Sequence, residues 1–270
     1  MSDVWSSVKD LEPEVQDRLA GVLETRGGDP AQQAMRRELL ERIPFPASAK
    51  VLEVGCGTGV LCRTMAGWPG VESVDGVDPA PSLIARAMDL AAAIANVWFS
   101  VGDGRDLPFG DGAFDVVVFD STLCHIPGPD SALAEAVRVL CPEGVLAAFD
   151  GDYATTTVSL GANDPLQACV DAMMANSVTD RWLVRRLPQM VRATGLDVLR
   201  VDGYDYVESG AASYLLTVVD RGADLLASNG EVSADTAACL KAEARQRVDT
   251  GTFFGHIAYG SVIARKPATN

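Results

Sequence analysis

The sequence predicts an α/β protein in which a seven-stranded sheet carries helices on both faces, with further helices inserted beside the sheet. Three observations lead to this prediction. Short apolar segments alternate along the chain with longer segments of helical periodicity, a pattern typical of α/β folds. A glycine-rich turn joins the first apolar segment to a helix. Acidic residues follow the next apolar segments, at the positions where strands end.

The first apolar segment leads into a turn of alternating glycines. Residues 51–54 form the short apolar run of a strand that is covered on both faces. Gly55, Gly57 and Gly59 permit positive φ angles and let a ligand approach the backbone closely. Thr58 is expected to cap the helix that follows, whose N-terminus suits an anionic group. The sequence therefore predicts a nucleotide-like ligand at this turn.

The glycine spacing argues against a dinucleotide site. The dinucleotide pattern G-x-G-x-x-G has a third glycine that packs the helix onto the strand. Counted from Gly55 the third glycine falls where Val60 stands, and counted from Gly57 it falls where Cys62 stands. The pattern present, which begins at Glu53, is E-x-G-x-G-x-G. It resembles the first motif of class I S-adenosylmethionine (SAM)-dependent methyltransferases, in which the acid and the glycine backbone hold the methionine end of the cofactor.

Two acids beyond the turn stand where contacts to a nucleoside are expected. Residues 71–77 are the predicted second strand, and Asp78 ends it about twenty residues past the glycines. A carboxylate there can accept hydrogen bonds from both hydroxyls of a ribose, although a helix-capping role for Asp78 stays open. Residues 97–101 are the predicted third strand, and the resemblance implies that Asp103 after it binds the adenine amino group. The alternative for Asp103 is a turn residue.

The resemblance extends over roughly residues 45–150. Residues 114–119 and 145–149 are the predicted fourth and fifth strands, and residues 108–115 and 138–144 are similar to the C-methylating enzymes of quinone biosynthesis. The resemblance implies a Rossmann-like methyltransferase sheet and SAM as the cofactor. It assigns cofactor contacts to Glu53, Gly55, Cys56, Gly57, Gly59, Asp78, Pro79, Asp103, Gly104, Arg105, Asp120 and Ser121.

The chain is predicted to be a single domain over residues 1–270, with a SAM-binding core at residues 46–150. Its length and its 48% of hydrophobic residues are sufficient for one sizeable core. Residues 1–45 have helical periodicity, and the resemblance implies that such an N-terminal cap closes over the cofactor with Gln33 or Arg36 facing it. A surface position for Arg36 is equally open.

Residues 151–182 and 207–250 are predicted to contain helices that cover the substrate. Two helices are expected in the second of these segments, at residues 211–227 and 233–248. Long connections in compact domains are usually functional, and this one leaves the sheet on the side where ligands bind in open α/β folds. We interpret it as a lid or pocket wall; the rival interpretation is a homodimer contact.

The remaining strands are predicted at residues 197–204 and 255–264. The adjacent Met173 and Met174 precede these strands, and the flexible methionine side chain is suited to lining an adaptable apolar pocket. Ordinary core packing is the alternative for each of these side chains. Substrate contacts are expected from Tyr153, Met173, Tyr214 and His256, with a core or surface position as the alternative for His256.

His125 follows the predicted fourth strand, beside the expected methyl-donating end of the cofactor, and is one of 2 histidines in the chain. Because the methyl group of SAM is already activated, the protein needs a base only when the acceptor is a neutral alcohol, phenol or carbon acid. The ordinary pKa of a histidine suits proton transfer near neutral pH. We therefore predict that His125 is catalytic; the alternative is a residue that only shapes the pocket.

The charge balance favours a small-molecule acceptor over a nucleic acid. The chain has 22 basic and 37 acidic residues, for a net charge of −15, and a surface of this sign repels phosphate backbones. No apolar run approaches the ~20 residues that a membrane span needs, and the first residues lack the pattern of a secretion signal, so a cytoplasmic location without membrane association is predicted. The 6 cysteines include no C-x-x-C pair, which argues against a metal site.

Three functional hypotheses remain at this point. The first is a SAM-dependent methyltransferase that acts on a small molecule such as a quinone-like compound or a secondary metabolite. The second is a SAM-binding protein of the same fold that catalyses another reaction, such as a cyclisation. The third is a non-catalytic SAM sensor. The cofactor motifs are common to all three, and release of S-adenosylhomocysteine separates the first from the others.

Overall fold

Seven strands form one sheet in the computed structural model, which describes residues 3–268. In chain order the strands are β1 (Ala49–Val54), β2 (Val71–Asp78), β3 (Val97–Val101), β4 (Phe114–Asp120), β5 (Leu140–Thr157), β6 (Asp197–Gly210) and β7 (Phe253–Arg265). Their order across the sheet is β3-β2-β1-β4-β5-β7-β6. Each strand predicted from the sequence is present, and the predicted α/β fold is confirmed.

The strand order reverses between β1 and β4. β1 pairs in parallel with both β2 and β4, and the chain proceeds from β1 toward one edge of the sheet and from β4 toward the other. Because parallel crossovers are right-handed, helices in the two halves cover opposite faces. In such sheets ligands bind at the carboxyl ends of the strands beside the reversal. The residues that follow Val54 and Asp120 are therefore placed to line a site.

The last strand, β7, lies antiparallel between β5 and β6. Pairing with β7 makes both neighbouring strands longer than predicted. β5 continues past its predicted end at residue 149 to Thr157, and β6 continues past residue 204 to Gly210. Gly151 and Gly203 interrupt the apolar alternation in these two strands, so the sequence pattern ends before the hydrogen-bonded ladder does.

The helices cover the sheet and surround one of its ends. None of them, within residues 3–268, is long and apolar enough to cross a bilayer. Short 3₁₀ turns occur at Val8–Asp10 and Leu123–His125. In chain order the helices are α1 (Pro13–Gly28), α2 (Pro30–Arg42), α3 (Val60–Met65), α4 (Pro81–Leu90), α5 (Pro129–Val139), α6 (Pro165–Ser177), α7 (Leu183–Ala193), α8 (Tyr214–Ser228) and α9 (Ala234–Asp249).

The main core lies on both faces of the central strands. Leu52 of β1 and Val117 of β4 are fully buried, as are their neighbours Val51 and Val116, which point to the other face. Near-continuous apolar strands of this kind are typical of parallel sheets covered on both faces. The ends of β1 and β4 are consequently held in a rigid frame.

The N-terminal cap, which comprises residues 3–45 of the described chain, packs over the end of β2. Leu19 and Ala20 of α1 form a separate apolar cluster with Ala80 and Leu83. These two partners follow β2 directly, at the start of α4. The cap is therefore fixed next to Asp78.

The insertion after β6 is fixed by one buried carboxylate. Glu208 accepts hydrogen bonds from the backbone N–H groups of Ser213, Tyr214 and Leu215, each at 2.8 Å. A negative charge at this position satisfies the free donors of a helix N-terminus and favours its dipole. For this reason α8 begins at Tyr214 and not at Ala211, where the helical pattern begins.

The insertion packs against α6. At Gly222 of α8, an added Cβ would lie 1.9 Å from the carbonyl oxygen of Cys169 in α6. The second inserted helix, α9, is tied to the N-terminus of α6 by an ion pair between Arg247 and Asp164 at 2.6 Å. The two contacts make the insertion a wall that continues α6.

We expect Gly222→Ala to lower the free energy of unfolding by about 1–3 kcal/mol, because the backbone of α6 must move to admit the methyl group. Gly21→Ala is the control, at an exposed position inside α1 where nothing lies within 4 Å of an added Cβ. This change is expected to raise the free energy of unfolding by about 0.5–1 kcal/mol. Urea unfolding of both variants measures the difference, and equal stabilities would contradict the tight contact.

Candidate active site

A cavity opens at the carboxyl ends of the parallel strands. Its walls come from the turn after β1, the ends of β2, β3 and β4, the N-terminal cap, α6 and α8. Most residues predicted for the site line this cavity: Glu53, Gly55, Cys56, Gly57, Asp78, Pro79, Asp103, Gly104, Arg105, Asp120, Ser121, His125, Tyr153, Met173 and Tyr214. The structure thus brings the predicted cofactor and substrate contacts into one chamber.

Two predicted contacts, Gly59 and His256, do not line the cavity. Gly59 has a φ of 76° at the start of α3, and a Cβ there would lie 2.6 Å from the ring of Phe99. This glycine serves packing. His256 bonds to Asp205, with 3.0 Å between Nε2 and Oδ1. Since side chains alternate along a strand, His256 lies on the opposite face of β7 from Tyr259, and the prediction that it contacts the substrate is corrected.

The glycine turn brings the backbone close to the end of β4. Gly55 has a φ of 74°, and a Cβ there would lie 2.1 Å from Cγ2 of Thr122. Thr58 does not cap α3; its hydroxyl donates to Oε1 of Glu24 at 2.5 Å, and Gly59 is the N-cap. Thr58 instead fastens α1 to the turn, so the N-terminal cap closes directly over the glycines.

Asp78 is held at the end of β2 by two backbone groups. Its Oδ2 accepts from the N–H of Gly57 at 3.0 Å, and its Oδ1 accepts from the N–H of Ala80 at 2.9 Å. Burial raises the pKa of Asp78 to about 6, against the effect of these hydrogen bonds. The carboxylate is oriented toward the cavity with acceptor capacity to spare, as a ribose diol requires.

Asp103 lies at the end of β3 in a more open part of the cavity. Arg105 pairs with it at 2.6 Å, and the hydrogen bond from Arg105 lowers the pKa of the Asp103 carboxyl against the effect of partial burial. Arg105 also donates to the carbonyl of Pro127 at 3.4 Å. The pair forms the outer rim of the cavity.

Glu53 lies in the interior of the site, below the turn. Burial raises the pKa of Glu53 to about 8, and the charge of Asp120 adds to this rise. The thiol of Cys62 donates to Oε2 of Glu53 at 2.8 Å, which opposes the shift. Near neutral pH the side chain can therefore act both as a donor and as an acceptor.

Arg36 crosses from α2 to the end of β4, where it forms an ion pair with Asp120 at 2.5 Å. The two side chains are 9% and 7% exposed, respectively, so the pair is buried. Nη1 of Arg36 is also buried and has no hydrogen-bond partner among residues 3–268. Arg36 lines the cavity, and this nitrogen is a free donor within it.

His125 is oriented by Asp3, a residue that the sequence analysis missed. Oδ2 of Asp3 lies 2.7 Å from Nδ1 of His125 and also accepts hydrogen bonds from the backbone and hydroxyl of Thr179. Although burial opposes it, the bond to His125 lowers the pKa of the Asp3 carboxyl. An ionised Asp3 fixes the proton of His125 on Nδ1, which leaves Nε2 free to accept a proton.

Nothing in the sequence pattern relates Asp3 to His125, because the two residues are separated by most of the N-terminal half of the chain. The only signal is the acid itself, near the N-terminus of a chain in which acids are common. A second missed residue is Arg26 of α1, which lines the cavity and donates to Oγ of Ser121 at 2.5 Å.

The far wall of the cavity is formed by aromatic and apolar side chains. The ring of His125 lies between Trp5 at 6.1 Å and Tyr153 at 6.4 Å, measured between ring centroids. Met173 and Met174 of α6 both line the cavity, and Tyr214 and Val218 of α8 complete this wall.

A family described as "Methyltransferase domain" matches residues 52–148. The match contains the end of β1, the glycine turn, β2 to β4, His125 and the first half of β5. The N-terminal cap, α6 and the insertion lie outside it.

Among curated proteins, the chain is 30% identical to methyltransferase GfsG of Streptomyces halstedii, over 63% of this chain and 61% of that protein. It is 34% identical to a malonyl-[acyl-carrier protein] O-methyltransferase of Geobacter sulfurreducens, over 45% of this chain and 48% of that protein. The chain therefore spans about half to three fifths of the length of these relatives.

Among solved structures, the fold is similar to that of the [4+2]-cyclase SpnF, with a TM-score of 0.62 at 22% identity. The similarity covers 100% of this chain and 98% of that one. At this level of identity it shows a common fold, including the cap and the insertion, and nothing about a common reaction.

The raised pKa of Glu53 predicts a loss of stability with rising pH. In the unfolded chain this carboxyl ionises near its ordinary pKa of 4.5, whereas the folded protein retains the proton up to about pH 8. The stabilisation from the protonated Glu53 is complete below the unfolded pKa and is lost as the pH rises toward 8. The loss in free energy of unfolding is a few kcal/mol, on the order of 1.4 kcal/mol per pKa unit.

We expect Glu53→Gln to remove most of this slope from the ligand-free protein when urea unfolding is compared at pH 5 and pH 8. A smaller slope of the same sign remains, because the pKa of Asp78 is also raised. Glu72→Gln, which changes an exposed carboxylate on β2, is the control and should retain the full slope. An identical slope in wild type and Glu53→Gln would contradict a protonated Glu53.

Proposed function

We propose that the chain, whose residues 52–148 match a methyltransferase-domain family, transfers the methyl group of SAM to a hydroxyl group of a small-molecule acceptor. The observation that carries the proposal is the pair formed by the buried Asp3 and by His125, which lines the cavity, at 2.7 Å. A base oriented in this way is needed for a neutral hydroxyl acceptor and has no use in cofactor binding alone.

The residues at the end of β1, β2 and β3 fit SAM. Asp78 is the ribose ligand in this proposal, and Asp103 with the backbone of Gly104 is the adenine ligand. Glu53 and the backbone of the glycine turn hold the ammonium end of the methionine group. When bound, the cofactor supplies a methyl group that its positive sulfur has already activated.

The free donor of Arg36 supports this fit. Its Nη1 is buried in the cavity without a partner among the described residues, and burial of an unsatisfied donor is costly. A carboxylate of the cofactor's methionine group would satisfy it. The neighbouring ion pair with Asp120 holds the guanidinium in place for this contact.

His125 receives the proton in the proposed mechanism. Its Nδ1 donates to Asp3, and its Nε2 would accept the proton of the acceptor hydroxyl. Asp3 stabilises the imidazolium that forms, since an ionised carboxylate already lies against the ring. The thiol of Cys124 and the carboxyl of Asp150 are buried beside this pair, with the pKa of each raised by burial.

The remaining walls orient the acceptor and exclude water. Trp5 and Tyr153 flank the histidine ring, and the methionines of α6 give the wall an adaptable apolar surface. The insertion acts as a lid in this proposal, because Tyr214 and Val218 of α8 line the same cavity. A chamber of this kind favours transfer by alignment and by the removal of solvent.

We expect His125→Ala to lower methyl transfer by about 10²–10⁴-fold while leaving the affinity for S-adenosylhomocysteine within about twofold of wild type. Asp3→Asn should lower the rate by a smaller factor, because it leaves the base in place but no longer fixes its tautomer. Release of S-adenosylhomocysteine over a panel of hydroxylated small molecules measures the rate, and calorimetry measures the affinity.

His256→Ala is the matched control, since the other histidine of the chain lies outside the cavity. It should retain full activity. Equal losses of S-adenosylhomocysteine binding and of turnover in His125→Ala would contradict the role as a base. Conversion of a substrate with no S-adenosylhomocysteine released would favour the cyclisation hypothesis over methyl transfer.

A further inference from the structure

Arg26 lines the cavity and makes few hydrogen bonds to the protein. Its side chain is partly buried and borders the cavity. Nη2 donates to Oγ of Ser121 at 2.5 Å, and the guanidinium carbon lies 5.9 Å from the ring centroid of Tyr259. The Nε atom is buried without a hydrogen-bond partner among residues 3–268. A guanidinium has five N–H donors, so most of the hydrogen-bonding capacity of Arg26 is unused.

No carboxylate of the described residues neutralises Arg26 by a direct ion pair. Asp120 is close, but it is already paired with Arg36 at 2.5 Å. Arginine does not lose its proton in proteins, and a buried charge without a partner is destabilising. A negatively charged ligand would relieve this cost.

Arg26 lies at the end of β4, where it donates to Ser121 next to the Arg36–Asp120 pair. From there it packs toward Tyr259 of β7, which lies beyond β4 and β5, whereas the proposed ribose and adenine contacts follow β2 and β3. Tyr259 in turn contacts Tyr153 at 6.5 Å, and Tyr153 contacts the ring of His125 at 6.4 Å, both measured between ring centroids. The proposed base and the free arginine therefore border one compartment.

The strain at Ser121 supports a built site. Ser121 has a φ of 54°, a left-handed conformation that is unfavourable for a residue other than glycine. This backbone places the Ser121 hydroxyl between Arg26 and Asp120, to which it is bonded at 2.5 and 3.2 Å. The hydroxyl holds the guanidinium with its other donors free.

A second arginine contributes positive charge to the same compartment. Arg221 of α8 lines the cavity and forms no ion pair within residues 3–268. Its side chain is partly buried, and burial lowers its pKa. The insertion therefore brings a cation, as well as an apolar wall, to the compartment of Arg26.

We propose that the acceptor is a hydroxylated organic acid whose carboxylate binds Arg26 while its hydroxyl faces His125. This inference rests on the proposed function and adds the acidic group of the substrate. The two side chains recognise different groups of the acceptor: His125 accepts the proton of a neutral hydroxyl, and Arg26 binds a carboxylate that stays ionised. Arg36 and Arg26 then bind one carboxylate each, the first that of the cofactor and the second that of the acceptor.

The test compares a carboxylate with its neutral amide. Para-hydroxyphenylacetate and para-hydroxyphenylacetamide are titrated by calorimetry into protein saturated with S-adenosylhomocysteine. Wild type should bind the carboxylate at least about tenfold more tightly than the amide. Arg26→Gln should bring this ratio close to one while its affinity for S-adenosylhomocysteine stays within about twofold of wild type.

Arg37→Gln is the matched control, because Arg37 is an exposed arginine of the same cap and its loss should leave the ratio unchanged. If Arg26→Gln does not fold, Arg26→Lys is used in its place. Lysine keeps the positive charge but cannot donate two parallel hydrogen bonds to a carboxylate, so the ratio of carboxylate to amide affinity should fall several-fold. No preference in wild type, or a preference that survives in the folded Arg26 variant, would overturn the inference.

Two further outcomes separate this inference from the proposed function. A folded Arg26→Gln protein that loses S-adenosylhomocysteine would make Arg26 a cofactor ligand and would overturn the inference only. Wild-type protein that binds neither SAM nor S-adenosylhomocysteine would overturn the proposed function itself, whatever the ratio of carboxylate to amide binding.

Discussion

The buried ion pair between Arg36 and Asp120 connects the N-terminal cap to the sheet where the strand order reverses. Loss of one member of such a pair costs about 3–5 kcal/mol, because the other charge is left buried without a partner. The pair holds α2 above the glycine turn, and Thr58 with Glu24 does the same for α1. The cavity exists because these contacts close the cap over the ends of the strands.

The cavity beside this ion pair is lined by both carboxyl groups and arginines. Glu53 and Asp78 border the part formed by β1 and β2, and burial raises the pKa of both carboxyls. Arg26 and Arg221 line the cavity without a carboxylate partner among residues 3–268. These two arginines suit an acidic acceptor bound beside the cofactor. The net negative charge of the whole chain gives no indication of them.

The sequence was sufficient for the fold, and the residues that it predicts as cofactor contacts, except Gly59, line the cavity. Apolar runs and glycines are local signals, so the strands before Gly55 and Asp78 were predictable from neighbouring residues, and Val60 excluded a dinucleotide site. The end of β5 was not predictable, since its pairing with β7 depends on residues a hundred positions away. The face on which a strand residue lies was not predictable either: the sequence left a pocket, core or surface position open for His256, which lies on the face of β7 opposite to Tyr259 and bonds to Asp205.

Asp3 and Arg26 could not be predicted as site residues from the sequence, for a different reason. Asp3 and Arg26 meet His125 and Ser121 only when the cap folds over the sheet. Their polar character gave no periodic signal, because each is a single charged residue among many others in the first 45 residues. Only packing distinguishes them from solvated neighbours such as Arg37.

The residues proposed to contact the acceptor lie mostly outside the segment that matches the methyltransferase family. The residues proposed to hold the cofactor lie almost entirely within residues 52–148, which match the methyltransferase family. Asp3, Arg26, Tyr153, Met173 and Arg221 lie outside that match. We therefore propose that similarity within the matched segment reflects a shared cofactor, and that the cap and the insertion select the acceptor. A relative's substrate is transferable to this chain only where those outer residues also agree, and the free guanidinium of Arg26 is the first position to compare.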